Sequence, residues 1–199
     1  YKSQSLQISS FPMLLEGQEK GDYKIYLKPE ITLSNISFNV THPDLGKRQV
    51  FGDLRFRKAM SVAINREEIN EVALFGLGSP KQYTGFSPMP DFIDKKWESY
   101  MIQYDPAMAN RLLDEIGMVD RDGDGSRELP NGKKIVINMQ FSTQGIDPQI
   151  VEMVGQNWAE VGIKTTVKEV TPDEYRSAQS ANQLDVGMWR SSQPLSIVM

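Results

Sequence analysis

The sequence predicts a mixed α/β domain whose C-terminal part follows the order strand, helix, strand, helix, strand. Residues 133–142 place alternate apolar side chains on one face, as a strand does, and residues 163–170 and 184–189 are two further strand segments. The pairs Asp147-Pro148 and Thr171-Pro172 each begin a helix between these strands, because proline is favoured at the first helical position. We therefore expect the three strands to be parallel neighbours in a mixed sheet, joined by right-handed crossovers.

Length and composition are consistent with a single domain over residues 1–199. The chain is 39% hydrophobic, and a domain of this size buries about 70% of its unfolded surface. Its net charge of −4 is spread over 22 basic and 26 acidic residues, which indicates a mixed solvated surface and no nucleic-acid partner. The absence of cysteine excludes disulfides and thiolate metal sites within this chain. No apolar run reaches the roughly 18 residues of a membrane span.

The N-terminal part is predicted to hold short strands between less regular segments. Residues 1–22 fit either a short helix or a loop. Alternating apolar residues over 23–40 predict strands, split by Pro29 and by Ser34-Asn35. Residues 41–52 are rich in turn formers, so we expect a loop there.

Capping residues mark the helices of the middle part. Asn65 and Glu68 have capping-box spacing, and residues 77–104 are rich in Pro, Gly and aromatic residues, which predicts a loop. The same kinds of signal give the approximate limits of three helices: Asp53 to Ile64, Asn65 to Gly76, and Asp105 to Gly117.

One loop carries acidic residues at the spacing of a calcium ligand set. Asp120, Asp122 and Asp124 alternate with other residues and are followed by Gly125, so their carboxylates could converge on a hard cation. The twelfth position is Asn131 where an EF-hand has Glu, so the full pattern is not met. The alternative is a tight turn, in which Asp side chains cap the backbone and Gly supplies positive φ. Apart from this possible calcium ion, no cofactor is expected.

The sequence offers little for catalysis. His42 is the only histidine, and in its Thr-His-Pro-Asp loop we expect it to be exposed and incidental. Without a second histidine or any cysteine, most catalytic triads and zinc sites cannot be assembled. The paired acids Glu67-Glu68 and Asp114-Glu115 lie on predicted helix faces, where solvated carboxylates are usual.

Six segments, in order, resemble the extracytoplasmic solute-binding proteins of ABC transporters, in the subfamily that carries peptides, nickel and some oligosaccharides. The most specific is DLRFRKAMSVAINREEI at 53–69, which is similar to the family block D-x-R-x-R-x-A-x-x-x-A-I-[DN]-R-x-x-I. The resemblance covers about residues 36–190. The other five matching segments are ISFNV at 36–40, FGLGSP at 75–80, YDPAMANRLLDEIG with its Asp-Gly-rich loop at 104–134, NWAEVGIKTTVKEVTPDEY at 157–175, and LDVGMWR at 184–190.

The resemblance implies one lobe of a periplasmic-binding-protein-like fold, in which two lobes close over a ligand. The partner lobe would then belong to a longer protein from which this chain was excised. By the same resemblance the protein is not an enzyme. It would be a monomer that captures a peptide or related small solute and delivers it to ABC permease subunits in the membrane. It would work in the periplasm or outside the cell, either free or lipid-anchored through a region missing from this chain.

The resemblance also indicates where a ligand would bind. In open α/β sheets ligands lie beyond the C-terminal ends of strands, and in this family the loop after the last strand often faces the cleft. Some relatives have an Asp there that holds a ligand's amino group, whereas this chain has Ser191-Ser192-Gln193. Arginine pairs with carboxylates and an aromatic face stacks on flat surfaces, so an anionic or sugar-like ligand fits better. The alternative is a core tryptophan and a solvated arginine. The candidate contacts are Trp189, Arg190, Ser191, Ser192, Phe38 and Asn39.

Two other functions stay open from the sequence. One is a carboxylate-dependent hydrolase domain, which would need two acids on opposing loops within about 10 Å of each other. The other is a sensor or chaperone module on the same scaffold, with a signalling partner in place of a permease.

Overall fold

The computed structural model describes residues 8–27, 33–82 and 91–191. The strands within these ranges are β1 Leu33–Phe38, β2 Ile137–Phe141, β3 Thr165–Glu169 and β4 Val186–Ser191. The helices within them are α1 Phe11–Glu16, α2 Gln18–Gly21, α3 Leu45–Gly52, α4 Leu54–Val62, α5 Arg66–Leu74, α6 Pro106–Glu115, α7 Pro148–Glu160 and α8 Pro172–Ser180, with short 3-10 helices at Ile8–Ser10 and Lys95–Trp97.

The four strands form two ladders. β2 pairs with β3 in parallel, with α7 between them in the chain, as predicted. β4 pairs antiparallel with β1 and lies beside β2 with no described ladder between them, so the expected hydrogen-bonded place of the third strand next to the parallel pair is not found in the described residues. The reason lies in the core faces: Ile36 and Phe38 of β1 pack against the same core as the buried Val186 and Met188 of β4. Burial of both apolar faces favours this pairing over a purely local one.

The core lies between the strands and helices α3 to α7. Trp158 of α7 is 1% exposed, and its indole N–H donates to the carbonyl of Met60 in α4 over 3.0 Å. Its ring stacks on Phe38 with centroids 5.4 Å apart. A large aromatic side chain contributes most when its polar atom also finds a partner, so Trp158 joins α7, α4 and β1 into one body.

Three predictions for the N-terminal part are wrong. Residues 45–52 form α3 where a loop was expected, because the Asp44 carboxylate accepts the Lys47 backbone N–H at 2.9 Å and the buried Val50 and Phe51 anchor the helix. Residues 23–27 form no strand, although they alternate in polarity, and residues 28–32 lie outside the described ranges. The predicted break at Ser34-Asn35 is also absent, because β1 runs through these two residues.

The predicted caps are confirmed with one difference. Asp53, Asp105, Asp147 and Thr171 each accept a backbone N–H at the start of their helix. Asn65 accepts the Glu68 N–H over 3.2 Å, but its own backbone N–H donates to Asn157 of α7 in place of Glu68. The first turn of α5 is therefore tied to α7, which no local signal indicates.

Among the described helices, none combines the length and the apolar character that crossing a bilayer requires.

Candidate functional site

A pocket of about 370 Å³ opens where α8 lies beside the β1–β4 ladder. The ladder register sets Asn35 opposite Trp189 and Ser37 opposite Gly187. Because side chains alternate along a strand, these residues face away from the core that Ile36 and Met188 enter. Its described lining consists of Asn35, Ser37, Tyr175, Arg176, Gln179, Gly187 and Trp189.

Two aromatic rings form one wall of the pocket. The rings of Tyr175 and Trp189 have centroids 5.0 Å apart and planes inclined by 33°. The Tyr175 hydroxyl accepts the backbone N–H of Met188 at 2.6 Å, which fixes α8 to β4. Burial raises the pKa of this hydroxyl, so it stays protonated at neutral pH. Trp189 is half-buried and keeps part of its ring accessible.

Arg176 supplies the only charge among the described lining residues. Its guanidinium carbon lies 6.0 Å from the centroid of the Trp189 ring. Its recorded ion pair is with Asp173 at 3.3 Å, and both side chains are largely exposed. Exposed pairs of this kind contribute little, so Arg176 can turn to a ligand at small cost.

The structure separates the six ligand contacts predicted from the sequence. Trp189 lines the pocket. Arg190 and Ser191 continue β4, but the positions of their side chains are outside what the structure describes, as is Ser192 as a whole. Their contact with a ligand stays a prediction.

Phe38 and Asn39 take part in packing and in a turn. The Phe38 ring contacts the rings of Phe51, Phe56 and Trp158, with centroids 5.1 to 5.4 Å apart. The Asn39 amide donates to Asn182 and to the Leu184 carbonyl, both at 2.9 Å, and its oxygen accepts from Thr41. Whether either residue also reaches a ligand stays a prediction.

Sequence reasoning missed most of the pocket. Tyr175 and Gln179 are four residues apart in α8 and so share a helix face, and Asn35 and Ser37 alternate in β1. These spacings were available signals. Nothing local indicates that the two faces meet, because the β1–β4 pairing joins residues about 150 positions apart in the sequence.

A buried charged network lies at the start of β4. The Asp185 carboxylate is 3% exposed and accepts from Lys47 Nζ at 2.7 Å, from His42 Nε2 at 2.9 Å and from the backbone and side-chain nitrogens of Asn138. The Asp44 N–H donates to His42 Nδ1, so Nε2 holds the proton that Asp185 accepts. The expectation of an exposed, incidental His42 is therefore wrong. The network joins α3, β2 and β4.

The Asp-Gly loop brings its carboxylates together. One carboxylate oxygen from each of Asp120, Asp122, Asp124 and Glu128 lies within 4.8 Å of the others. The ammonium of Lys134 lies 2.8 Å from Asp122 and 2.6 Å from Asp124, and these bonds hold the pKa of both carboxyls below the usual range. Asp120 accepts the N–H groups of Gly123 and Gly125. This geometry supports the tight-turn interpretation, and calcium binding stays an untested alternative.

Comparison with known proteins gives consistent results. Residues 4–195 match the family described as "Bacterial extracellular solute-binding proteins, family 5 Middle". A probable ABC transporter-binding protein of Deinococcus radiodurans is 28% identical over 134 residues, which are 67% of this chain and 22% of that protein. Di/tripeptide-binding protein 3 of Pseudomonas aeruginosa is 25% identical over 171 residues, or 84% of this chain and 28% of that one.

Solved structures show the same fold. The oligopeptide-binding protein OppA superposes with a TM-score of 0.80 and 31% identity over 94% of this chain and 30% of that one. The present chain thus spans less than a third of the length of these relatives.

Proposed function

Because this chain belongs to the bacterial extracellular solute-binding proteins of family 5, we propose that it is the ligand-capturing lobe of an ABC-transporter substrate-binding protein. Its solute is a peptide or a related small molecule, which the whole protein delivers to a membrane permease. The observation that carries this proposal is the pocket between α8 and the β1–β4 ladder, lined by paired aromatic rings and one cation. Such concave sites with a few polar groups are typical of small-ligand binding.

The peptide class is favoured by the named relatives. A di/tripeptide-binding protein and an oligopeptide-binding protein are both among them. A peptide offers a carboxylate that Arg176 could pair with, and side chains that Trp189 could stack on. An oligosaccharide is the second candidate, since aromatic rings also stack on the apolar face of sugars.

The whole protein would act by closing over its solute. This lobe would supply one wall of the cleft, and a second lobe would supply the other. The chain leaves more than two thirds of its relatives' length uncovered, and the second lobe would lie in that part. Binding energy would drive hinge closure, and the closed form would dock on the permease. We place this cycle in the periplasm or outside the cell, with the protein monomeric and either free or lipid-anchored.

The two alternatives have less support. The family is one of binding proteins and not of enzymes, and the described lining of the pocket includes no carboxylate that a hydrolase could use. A sensor or chaperone on the same scaffold would share the pocket and would differ only in the partner of the closed form.

A thermal-shift screen of peptides, sugars and amino acids on the full-length parent tests the proposal. A bound solute should raise the melting temperature without being converted, because ligands that bind only the native state stabilise it. Trp189→Ala should abolish the shift, and Trp97→Ala, at an exposed tryptophan outside the pocket, should leave it unchanged. Product formation, or a shift unaffected by Trp189→Ala, would contradict it.

A further inference from the structure

Gly145 lies directly behind the indole of Trp189. A Cβ built on Gly145 would lie 2.4 Å from Cε3, 2.7 Å from Cδ2 and 2.9 Å from Cζ3 of that ring. The position is buried, and its φ is not in the left-handed region, so the backbone itself does not require glycine. The contact with Trp189 does require it, because no side chain fits between the ring and the chain.

This contact limits where the indole of Trp189 can lie. Trp189 packs against the Gly145 backbone, and its ring also contacts Tyr175. A methyl group at position 145 would have to displace a rigid bicyclic ring, and tightly packed surroundings yield little. Trp189 lines the cavity of about 370 Å³, so a displaced indole would change the shape of that cavity.

The polar groups of the pocket favour an anion. Arg176 is positively charged, and the other polar residues of the described lining, Asn35, Ser37, Tyr175 and Gln179, are neutral. Asp173, which pairs with Arg176 at 3.3 Å, is 95% exposed and does not line the pocket. A guanidinium near an aromatic face suits a flat group that carries a carboxylate, since the ring can stack while the charge pairs.

We propose that the pocket is shaped for a flat anionic group, and that Gly145 is a specificity-determining residue that makes room for this group by letting Trp189 lie back against the chain. The proposal rests on the proposed function, in that it takes this pocket as part of the solute site. Arg176 provides the charge selection and Gly145 the space.

A double-mutant cycle on this chain tests the packing step. Gly145→Ala should lower the melting temperature by roughly 2–10 °C, the range that overpacking by one carbon gives for a domain of this size. In a Trp189→Ala background the same change should have no effect within about 1 °C, because coupled neighbours lose their interaction when one partner is removed. The matched control is Gly187→Ala in the same pocket. The added Cβ would lie 3.8 Å from its nearest neighbours, so no fall in melting temperature is expected. Equal losses in both backgrounds would overturn the role of Gly145.

A titration with benzoate tests the ligand class, with the three tryptophan indole N–H signals resolved by NMR and assigned by substitution. Benzoate should shift the Trp189 signal saturably. Benzyl alcohol should bind the wild-type chain about tenfold or more weakly than benzoate does. Benzoate should bind the Arg176→Gln and Gly145→Ala variants about tenfold or more weakly than it binds wild type. These are the losses expected when a charged hydrogen bond or the space for the ring is removed. Arg111→Gln, at an exposed arginine on α6, should leave benzoate binding unchanged.

The possible failures are distinguishable. If benzoate binds no better than benzyl alcohol, or leaves the Trp189 signal unchanged, the flat anionic ligand is excluded even where the Gly145 coupling is found. If benzoate binds equally well to wild type and Gly145→Ala, the specificity role is excluded. Failure of the proposed function would be seen elsewhere, as turnover or as solute binding insensitive to Trp189→Ala in the full-length parent.

Discussion

Among single residues, Asp185 is a buried carboxylate that gathers charged and polar partners from distant parts of the chain. This carboxylate is 3% exposed and is satisfied by Lys47, His42 and Asn138, which come from three different segments. A buried ion pair contributes little net stability when intact, but losing one partner strands the other. Asp185 therefore joins the segment before β4 to α3 and β2.

Asp185→Asn should destabilise the domain by about 3 kcal/mol, because Lys47 would stay in place without its counter-charge. Urea denaturation followed by circular dichroism measures this. Asp173→Asn removes an exposed carboxylate from a surface pair and should change the free energy of unfolding by less than about 0.5 kcal/mol. Similar values for the two variants would show that the buried network is not needed.

Lys134 neutralises the acidic loop. Its ammonium lies between the Asp122 and Asp124 carboxylates and pairs with both, so it competes with any cation for their oxygens. We expect no heat when the chain is titrated with calcium at millimolar concentration by calorimetry. Lys134→Gln, which frees these carboxylates, should produce calcium-dependent heat, and Lys133→Gln at the exposed neighbouring position should not. Heat from the wild-type chain would instead support a calcium site.

At the scale of elements, α8 connects the helix caps to the pocket. Thr171 accepts the Glu174 N–H over 3.2 Å, and the Glu174 carboxylate accepts the Thr171 N–H and hydroxyl, both at 2.8 Å, in a complete capping box. Tyr175 and Arg176 follow immediately, in the first turns of the helix. A local sequence signal therefore sets the start of the helix that carries three pocket residues, Tyr175, Arg176 and Gln179.

Thr171→Ala should lower the free energy of unfolding by about 1 kcal/mol, the usual loss when an N-cap hydroxyl is removed. Urea denaturation of the whole chain measures this loss. Ser180→Ala, at the exposed C-terminal end of α8, is the matched control and should have little effect. An unchanged Thr171→Ala variant would mean that tertiary contacts alone hold α8.

The capping box should also give stability a dependence on pH. Hydrogen bonds from the Thr171 N–H and then its hydroxyl hold the pKa of the Glu174 carboxyl below its ordinary value of 4.5. A lowered pKa means that this stabilisation is fully present above pH 4.5 and is lost as the pH falls through the folded-state value. The stability difference between wild type and Glu174→Gln should therefore be constant near pH 7 and shrink below pH 4.5 in urea titrations. A difference that grows on acidification would contradict this assignment.

At the scale of the whole molecule, the chain is a body with its own core and one open pocket face. The core cluster joins β1, β2 and β4 with the helices from α3 to α7, while the described N-terminal helices α1 and α2 bury no residue. The body therefore has the core that a domain needs to fold.

We expect this chain alone to bind its physiological solute more weakly than about 1 μM, because the contacts and the enclosure that a second lobe would add are missing. Isothermal calorimetry with the best solute from the full-length screen measures this, with the full-length parent as the control. A micromolar or tighter complex with the isolated chain would show that one lobe is sufficient. It would contradict the proposal that two lobes close over the solute.

Much of this fold could be predicted from the sequence because helix caps and side-chain periodicity depend on nearby residues. The caps at Asp53, Asp105 and Thr171 follow from residues a few positions apart, the parallel β2–β3 pair from the strand-helix-strand order, and the family from six short segments in sequence order. Local hydrogen bonds and side-chain periodicity need no distant partner. The same reasoning failed for residues 45–52, where turn-forming residues are outweighed by the burial of Val50 and Phe51.

Which distant segments contact each other is seen only in the folded structure. Asp185 and Lys47 are 138 positions apart, β4 pairs with β1 in place of its sequence neighbours, and Gly145 meets Trp189 from a loop that no motif marked. These contacts depend on which apolar faces share the core, and that is a property of the whole chain. The pocket is therefore specified by packing, although each residue that lines it lies in an element with local signals of its own.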